Sequence, residues 1–188
     1  MAQALASSVL ANTPYSIKVD YLNTDGMSEA MARDYTANYR LQMFLDNFNE
    51  KRNMLWLDAD TLVRGDISEL DTWMEEYDTI AVHTPEMGQP GTMNHWLVST
   101  VGISRHGKKF LDQWKKEQGK IYSKWMPSIM TVQQSYVTAL TTGKAKVKDI
   151  TYKYSDKFFK EESPIWEAQG PRKTNAKWLE ESKEYERV

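Results

Sequence analysis

The chain has 188 residues, which suits one domain with a sizeable core, and its 40% hydrophobic and 27% charged residues exclude a disordered polymer. Lys and Arg number 24 against 26 Asp and Glu, a net charge of -2, so there is no global basic surface to recruit nucleic acid. Cysteine is absent, which excludes disulfides and thiolate metal sites, and no run approaches the ~18 apolar residues of a membrane span.

The opening "MAQALASSVLAN" lacks the positive start of a signal peptide, so the expected setting is the cytoplasm. Its alanine-rich spacing predicts a helix over 2–11. "YSIKVDYL" (15–22) alternates and predicts a strand, with "NTDG" as the turn that follows. From Ser28 to about Asn49 the pattern is helical, with Leu41, Phe44, Leu45 and Phe48 on one face. "MLWL" (54–57), "TIAV" (79–82) and "STVGI" (99–103) are short apolar runs of the kind that fill a central parallel sheet. A Pro- and Gly-rich stretch, 83–96, separates the last two and reads as a binding loop. Helices follow over 106–120, with Phe110, Leu111 and Trp114 inward, and over 128–144, closed by Gly143. A lysine-bearing edge strand is expected over 147–154 and a charged terminal helix over 173–188. Strands alternate with helices. The expected class is therefore α/β, one domain over 1–188, with a mainly parallel sheet flanked by helices.

In such sheets, ligands bind beyond the carboxyl ends of strands. Asp58 and Asp60 follow "MLWL" directly. A buried carboxylate without a partner is costly, so this D-x-D needs a cation or water. Two carboxylates in an extended stretch can share Mg²⁺ or Mn²⁺, which take oxygen ligands and leave positions for phosphate oxygens. The plain alternative is a pair of turn and cap residues.

"LWLDADTLVRGDISEL", Leu55 to Leu70, resembles the signature of family 8 glycosyltransferases, the glycogenin-like and lipopolysaccharide galactosyl- and glucosyltransferases of GT-A type. The resemblance implies a Rossmann-like GT-A sheet and a UDP-sugar donor. It also implies Mn²⁺ or Mg²⁺ held by Asp58 and Asp60, with Ala59 between them at the donor. "NYRLQMF" places Arg40 where the family has an arginine that holds the carboxylates or the nucleotide. "STVGI" keeps Gly102, where close backbone approach to the donor is implied, and puts Thr100 in the place of an asparagine. "QQSYVT" places Gln134 near the reacting centre, with Ser135 and Thr138 in the Asp and Asn places. "IWEAQGPRKTNAKW" aligns Gly170 with a family glycine. That alignment makes Glu167 the third metal ligand in place of a histidine, and Lys173 or Lys177 the diphosphate contact.

Each of these residues also has a plain reading, as a solvated helix arginine, a strand kink, exposed helix glutamines or a loop acid. The family's first strand is not found ahead of 2–11, and its loss would leave a sheet edge open to a second copy. The implied reaction is transfer of a hexose to a saccharide or other small acceptor, with retention. A nucleotide-binding relative without turnover is the main alternative. A D-x-D phosphatase fits less well, because its spacing after the second Asp differs. His83, His95 and His106 fit no metal spacing, and Trp96 and Trp125 are sugar-stacking candidates that core packing would equally explain.

Overall fold

Ser28 starts the longest helix by accepting the Met31 N–H on its hydroxyl, which satisfies one of the free donors of the first turn. The computed structural model describes residues 1–83, 96–122, 129–150 and 152–186. Its helices are α1 (Ala2–Asn12), α2 (Glu29–Asn47), α3 (Ser68–Met74), α4 (Lys108–Tyr122), α5 (Ile129–Gly143) and α6 (Ala176–Glu186). Its strands are β1 (Met54–Leu57), β2 (Thr61–Val63), β3 (Thr79–His83), β4 (Trp96–Ile103), β5 (Val147–Asp149) and β6 (Ile165–Glu167). Among the described residues no helix is long and apolar enough to cross a membrane.

The main sheet has four strands in the order β1-β4-β3-β5, and its topology corrects the mainly parallel expectation. β4 runs antiparallel to both β1 and β3, while β3 and β5 are parallel. β1, β3 and β5 therefore share one direction and β4 alone is reversed. The reversal follows from the connection: β3 and β4 are consecutive, and 84–95 carries Pro and Gly rather than the helical pattern of a parallel crossover.

Alternate strand residues feed two cores. Met54 and Trp56 pack on the side where Leu41 and Phe44 of α2 meet Trp114 of α4 and Tyr136 of α5. Trp114 meets Tyr136 edge-on at 5.0 Å and donates its indole N–H to Ser135 Oγ at 3.0 Å. Leu55 and Leu57 face the other side, where Leu5 and Val9 of α1 meet Leu70 and Met74 of α3. Gly102 lies under this second face. A Cβ there would stand 2.6 Å from Ile80 and 2.7 Å from the Met74 sulfur. β5 stops at Asp149 and is followed by a 3-10 turn, Tyr152–Tyr154, so the strand expected over 147–154 is shorter than its pattern.

The strand expected over 15–22 is not part of a sheet. Tyr15 and Ile17 pack with Leu55 and Leu57 against the second core, as their alternation implies. However, among the described residues no backbone hydrogen bond joins 15–22 to β1. Alternation makes a chain extended; only a ladder makes it a strand. Both segments line a cavity of 1540 Å³. β1, expected in the middle of the sheet, is thereby its edge, and all four of its residues are only partly buried.

A second, two-stranded sheet pairs β2 with β6 antiparallel, with Thr61 opposite Glu167. The Ala168 N–H then reaches the Asp60 carbonyl at 2.9 Å. These short strands tie the C-terminal part of the chain to the D-x-D.

Two measurements check this arrangement. The Asp58 N–H bonds the Ser99 carbonyl at 3.2 Å, so antiparallel alternation turns the amides of Trp56 and Met54 toward β4 and those of Leu55 and Leu57 outward. Amide hydrogen exchange should be markedly faster at Leu55 and Leu57 than at Met54 and Trp56; equal protection would mean that the edge is covered. Gly102→Ala should lower stability by about 1–3 kcal/mol through overpacking against Ile80 and Met74. An unchanged urea midpoint would refute that packing.

Candidate functional site

β1 leaves the main sheet at Asp58. A tight turn, closed by the Thr61 N–H on the Asp58 carbonyl at 3.0 Å, carries the chain through Ala59 and Asp60 into β2. This turn puts the D-x-D at the strand's carboxyl end and on the wall of the large cavity. Arg40, Asp58, Ala59, Asp60, Ser99 and Lys173 line that wall together.

Each carboxylate here has its own cation. Asp58 Oδ1 accepts from Arg40 Nη2 and from the Trp56 indole N–H, both at 2.6 Å. Arg40 comes from the buried face of α2, and its guanidinium lies 5.1 Å above the Trp56 ring. Burial pushes the Asp58 carboxyl above its ordinary range. Arg40 and the indole hydrogen bond oppose that shift, while the negative charge of Asp60 adds to it. Asp60 Oδ2 pairs with Lys173 Nζ at 3.1 Å. Lys173 stands on the 3-10 turn Gly170–Thr174, which Gly170 opens with φ of 63°, a backbone conformation that suits glycine.

Glu167 is fully buried. Its Oε2 accepts from Ser99 Oγ at 2.9 Å and from Ser155 Oγ, and its Oε1 lies 3.9 Å from Lys157 Nζ. Burial pushes its carboxyl up, Lys157 and the serines pull it down, and the charge of Asp58 adds to the rise. Four buried polar atoms around this turn have no hydrogen-bond partner among the described residues: Arg40 Nε, Thr61 Oγ1, Thr100 Oγ1 and Glu167 Oε1. Buried polar atoms are nearly always satisfied, so four such atoms around one turn are unusual; the fifth among the described residues, Trp178 Nε1, lies in another cluster.

A divalent cation fits this donor set conditionally. Among the described residues no three His, Cys, Asp or Glu side chains converge into a metal cluster, and Glu167 is turned toward Ser99 and Ser155. Asp58 and Asp60 each keep one carboxylate oxygen outside the hydrogen bonds above. Mg²⁺ and similar cations commonly take one or two carboxylates and complete their shell with phosphate oxygens and water. Two such carboxylates could hold a cation only with further ligands from outside the described residues.

The remaining residues divide. Gln134 is exposed on α5 and does not line the cavity; its neighbour Gln133 does, and donates to the Trp96 carbonyl at 2.7 Å. Gly102 lies three rungs from Asp58 along the β1–β4 ladder, inside the core. Lys177 donates to the Phe159 carbonyl at 2.7 Å and pairs with Glu161 at 2.5 Å, beside the Trp166 ring and apart from Asp60. His83 rests on Trp96 with ring centroids 4.7 Å apart, and His106 accepts from the Arg105 guanidinium. His95 and Trp125 lie outside the described residues.

Sequence reasoning missed Trp56, Ser99, Ser155, Lys157 and Gln133. Trp56 had a signal: two residues before Asp58 on one strand, it shares a face with that carboxylate. No pattern marks Lys157 or Ser155, which reach Glu167 only through the fold. No protein-family model matches the chain, and no curated protein does.

The raised carboxyls of Asp58 and Glu167 make the native state bind protons more readily than the unfolded chain. Between the ordinary values, 3.8 and 4.5, and the raised ones, stability therefore falls as pH rises, and it levels off above them. Glu167→Gln should make that fall shallower in urea midpoints taken stepwise upward from pH 4.5. Superimposable slopes would mean that Glu167 does not carry a raised value.

Proposed function

We propose that the protein is a glycosyltransferase that moves a hexose from a nucleoside-diphosphate sugar, a UDP-sugar in the simplest case, to a saccharide or other small acceptor. The observation that carries this reading is the pair Asp58 and Asp60 at the carboxyl end of β1, on the wall of the cavity, with Lys173 beside them. The resemblance of Leu55–Leu70 to the family 8 signature supplies the substrate class, and with it retention of configuration.

In this reading Asp58 and Asp60 would hold Mn²⁺ or Mg²⁺, which when bound would supply positive charge against a departing diphosphate. Arg40 and the Trp56 indole fix the rotamer of Asp58, so one of its oxygens keeps a constant direction. Lys173 pairs with Asp60 where Lys177 pairs with Glu161, so Lys173 is the side chain that would meet a phosphate oxygen there. Gln133 lines the cavity where Gln134 does not, and in this reading its amide takes the sugar-facing role that the resemblance gave Gln134.

A second reading, nucleotide binding without turnover, is favoured by one specific observation. Gln134, the residue aligned with the family's reacting centre, points away from the cavity. The phosphatase alternative stays disfavoured by spacing, since Asp60 is followed by Thr61 and then Leu62.

Calorimetric titration of UDP and UDP-sugars, with and without Mn²⁺, tests the site. Binding should need the cation and should weaken at least about tenfold in Asp60→Ala, the loss of one charge-assisted ligand. Equal binding by Asp60→Ala would remove the site from the D-x-D. Cation-dependent UDP binding with no hydrolysis or transfer of any UDP-sugar would select the second reading.

A further inference from the structure

The three ion pairs at the D-x-D are not equivalent. The Arg40 side chain is 7% exposed, and Lys157 is 10% exposed. Both are held by further contacts: Arg40 lies over the Trp56 ring, and Lys157 also donates to Gln169 Oε1 at 2.9 Å. Lys173 differs. Its side chain is 42% exposed, its one charged partner among the described residues is Asp60, and the 3-10 turn that carries it buries none of its residues. An exposed pair of this kind is weak and easily exchanged, whereas Arg40 cannot leave Asp58 without stranding a buried charge.

Asp60 itself sits deeper, at 14% exposure, and two buried polar atoms without a hydrogen-bond partner lie on the neighbouring rung: Thr61 Oγ1, the next residue along, and Glu167 Oε1, across the ladder from Thr61. Of this pair, Lys173 at 42% exposure is the member that can leave at little cost, and Asp60 at 14% is the member held in the fold.

We propose that Lys173 is a stand-in for the divalent cation. Without a diphosphate, its ammonium occupies Asp60 and competes with the metal ion. A diphosphate offers Lys173 stronger partners in its phosphate oxygens, draws it off Asp60, and frees that carboxylate for the cation. Cation and nucleotide then bind as one unit. By linkage, each raises the affinity of the other by the same factor, and factors of about 5 to 150 are typical of such coupling. This rests on the reading that the site takes a nucleoside diphosphate with a divalent cation, and it adds an order: the cation is not held until the diphosphate is present.

The test is calorimetric titration of Mn²⁺ into the full chain, alone and with saturating UDP, for wild type, Lys173→Met and Lys173→Arg. Lys173→Met keeps the apolar stem and removes the charge at an exposed position; thermal melting confirms that each variant is folded. Wild type should bind Mn²⁺ at least about tenfold more tightly with UDP present. Lys173→Met should bind Mn²⁺ alone several-fold more tightly than wild type, with the effect of UDP reduced. Lys173→Arg should restore weak binding of Mn²⁺ alone. If Lys173→Met binds Mn²⁺ alone no more tightly than wild type, while wild type still needs UDP, the stand-in is wrong and the site reading survives. If no form binds Mn²⁺ with or without UDP, the reading of the site itself fails, and the stand-in with it.

Discussion

Asp58 ends an apolar strand, with one face against the core and burial working against its charge, and Arg40 makes that position tolerable. An arginine can do this and a lysine could not do it as well. Its planar fork donates to the carboxylate while its flat face covers the Trp56 ring. One contact thereby fixes three things. α2 must lie over β1 at the height of Arg40, Trp56 must turn its indole N–H back toward Asp58, and the carboxylate must point along the cavity wall. The helix cannot slide by a turn without uncovering a charge. Replacing the ionic pair by apolar residues could hold α2 equally well, but it would leave no carboxylate at the strand end.

The other constraint on the site comes from the far end of the chain. β2 and β6 are only three residues each, too short for a stable sheet by themselves. They pair because apolar side chains flank them. Leu62 and Trp166 belong to one buried cluster with Phe159 and Trp178, and Val63 and Ile165 to another. The ladder then fixes Glu167 opposite Thr61 and leads the chain out through Gly170 to Lys173. Two cations thus reach one pair of aspartates from opposite directions in sequence, Arg40 from before it and Lys173 from well after it. Only one of them is free to leave.

What was legible in the sequence follows the length of each pattern. α2 carries Leu41, Phe44 and Leu45 on one stripe, and α4 carries Phe110, Leu111 and Trp114; such stripes survive any tertiary context. α3, with seven residues, and the three-residue β2 and β6 are shorter than any window in which a period can be counted. Within the site, Asp58, Asp60 and Arg40 were legible because one local segment and one helical residue carry them. Gln133 and Gln134 were not separable, since neighbours on a helix differ by about 100° and the phase of α5 is set by Val132, Tyr136 and Ala139 against the core. Lys173 and Lys177 were not separable either. The first lies on a 3-10 turn and the second at the start of α6, and only the fold sends one to Asp60 and the other to Glu161.

The segment 15–22 shows where pattern and pairing part. Its alternation is real, since Tyr15 and Ile17 do face the core, yet among the described residues no backbone hydrogen bond joins the segment to β1. The cavity, 1540 Å³, exceeds the ~300–1,000 Å³ of most small-molecule sites. β1 is held by a ladder on one side only, and the precision of Asp58 cannot come from the sheet. It comes from β4 through the Asp58 N–H on Ser99, and from α2 through Arg40. In a strand paired on both sides, an arginine over the last carboxylate would add little to its position. At an open edge it stands in for the missing neighbour, so the same guanidinium that offsets the charge of Asp58 also aims it.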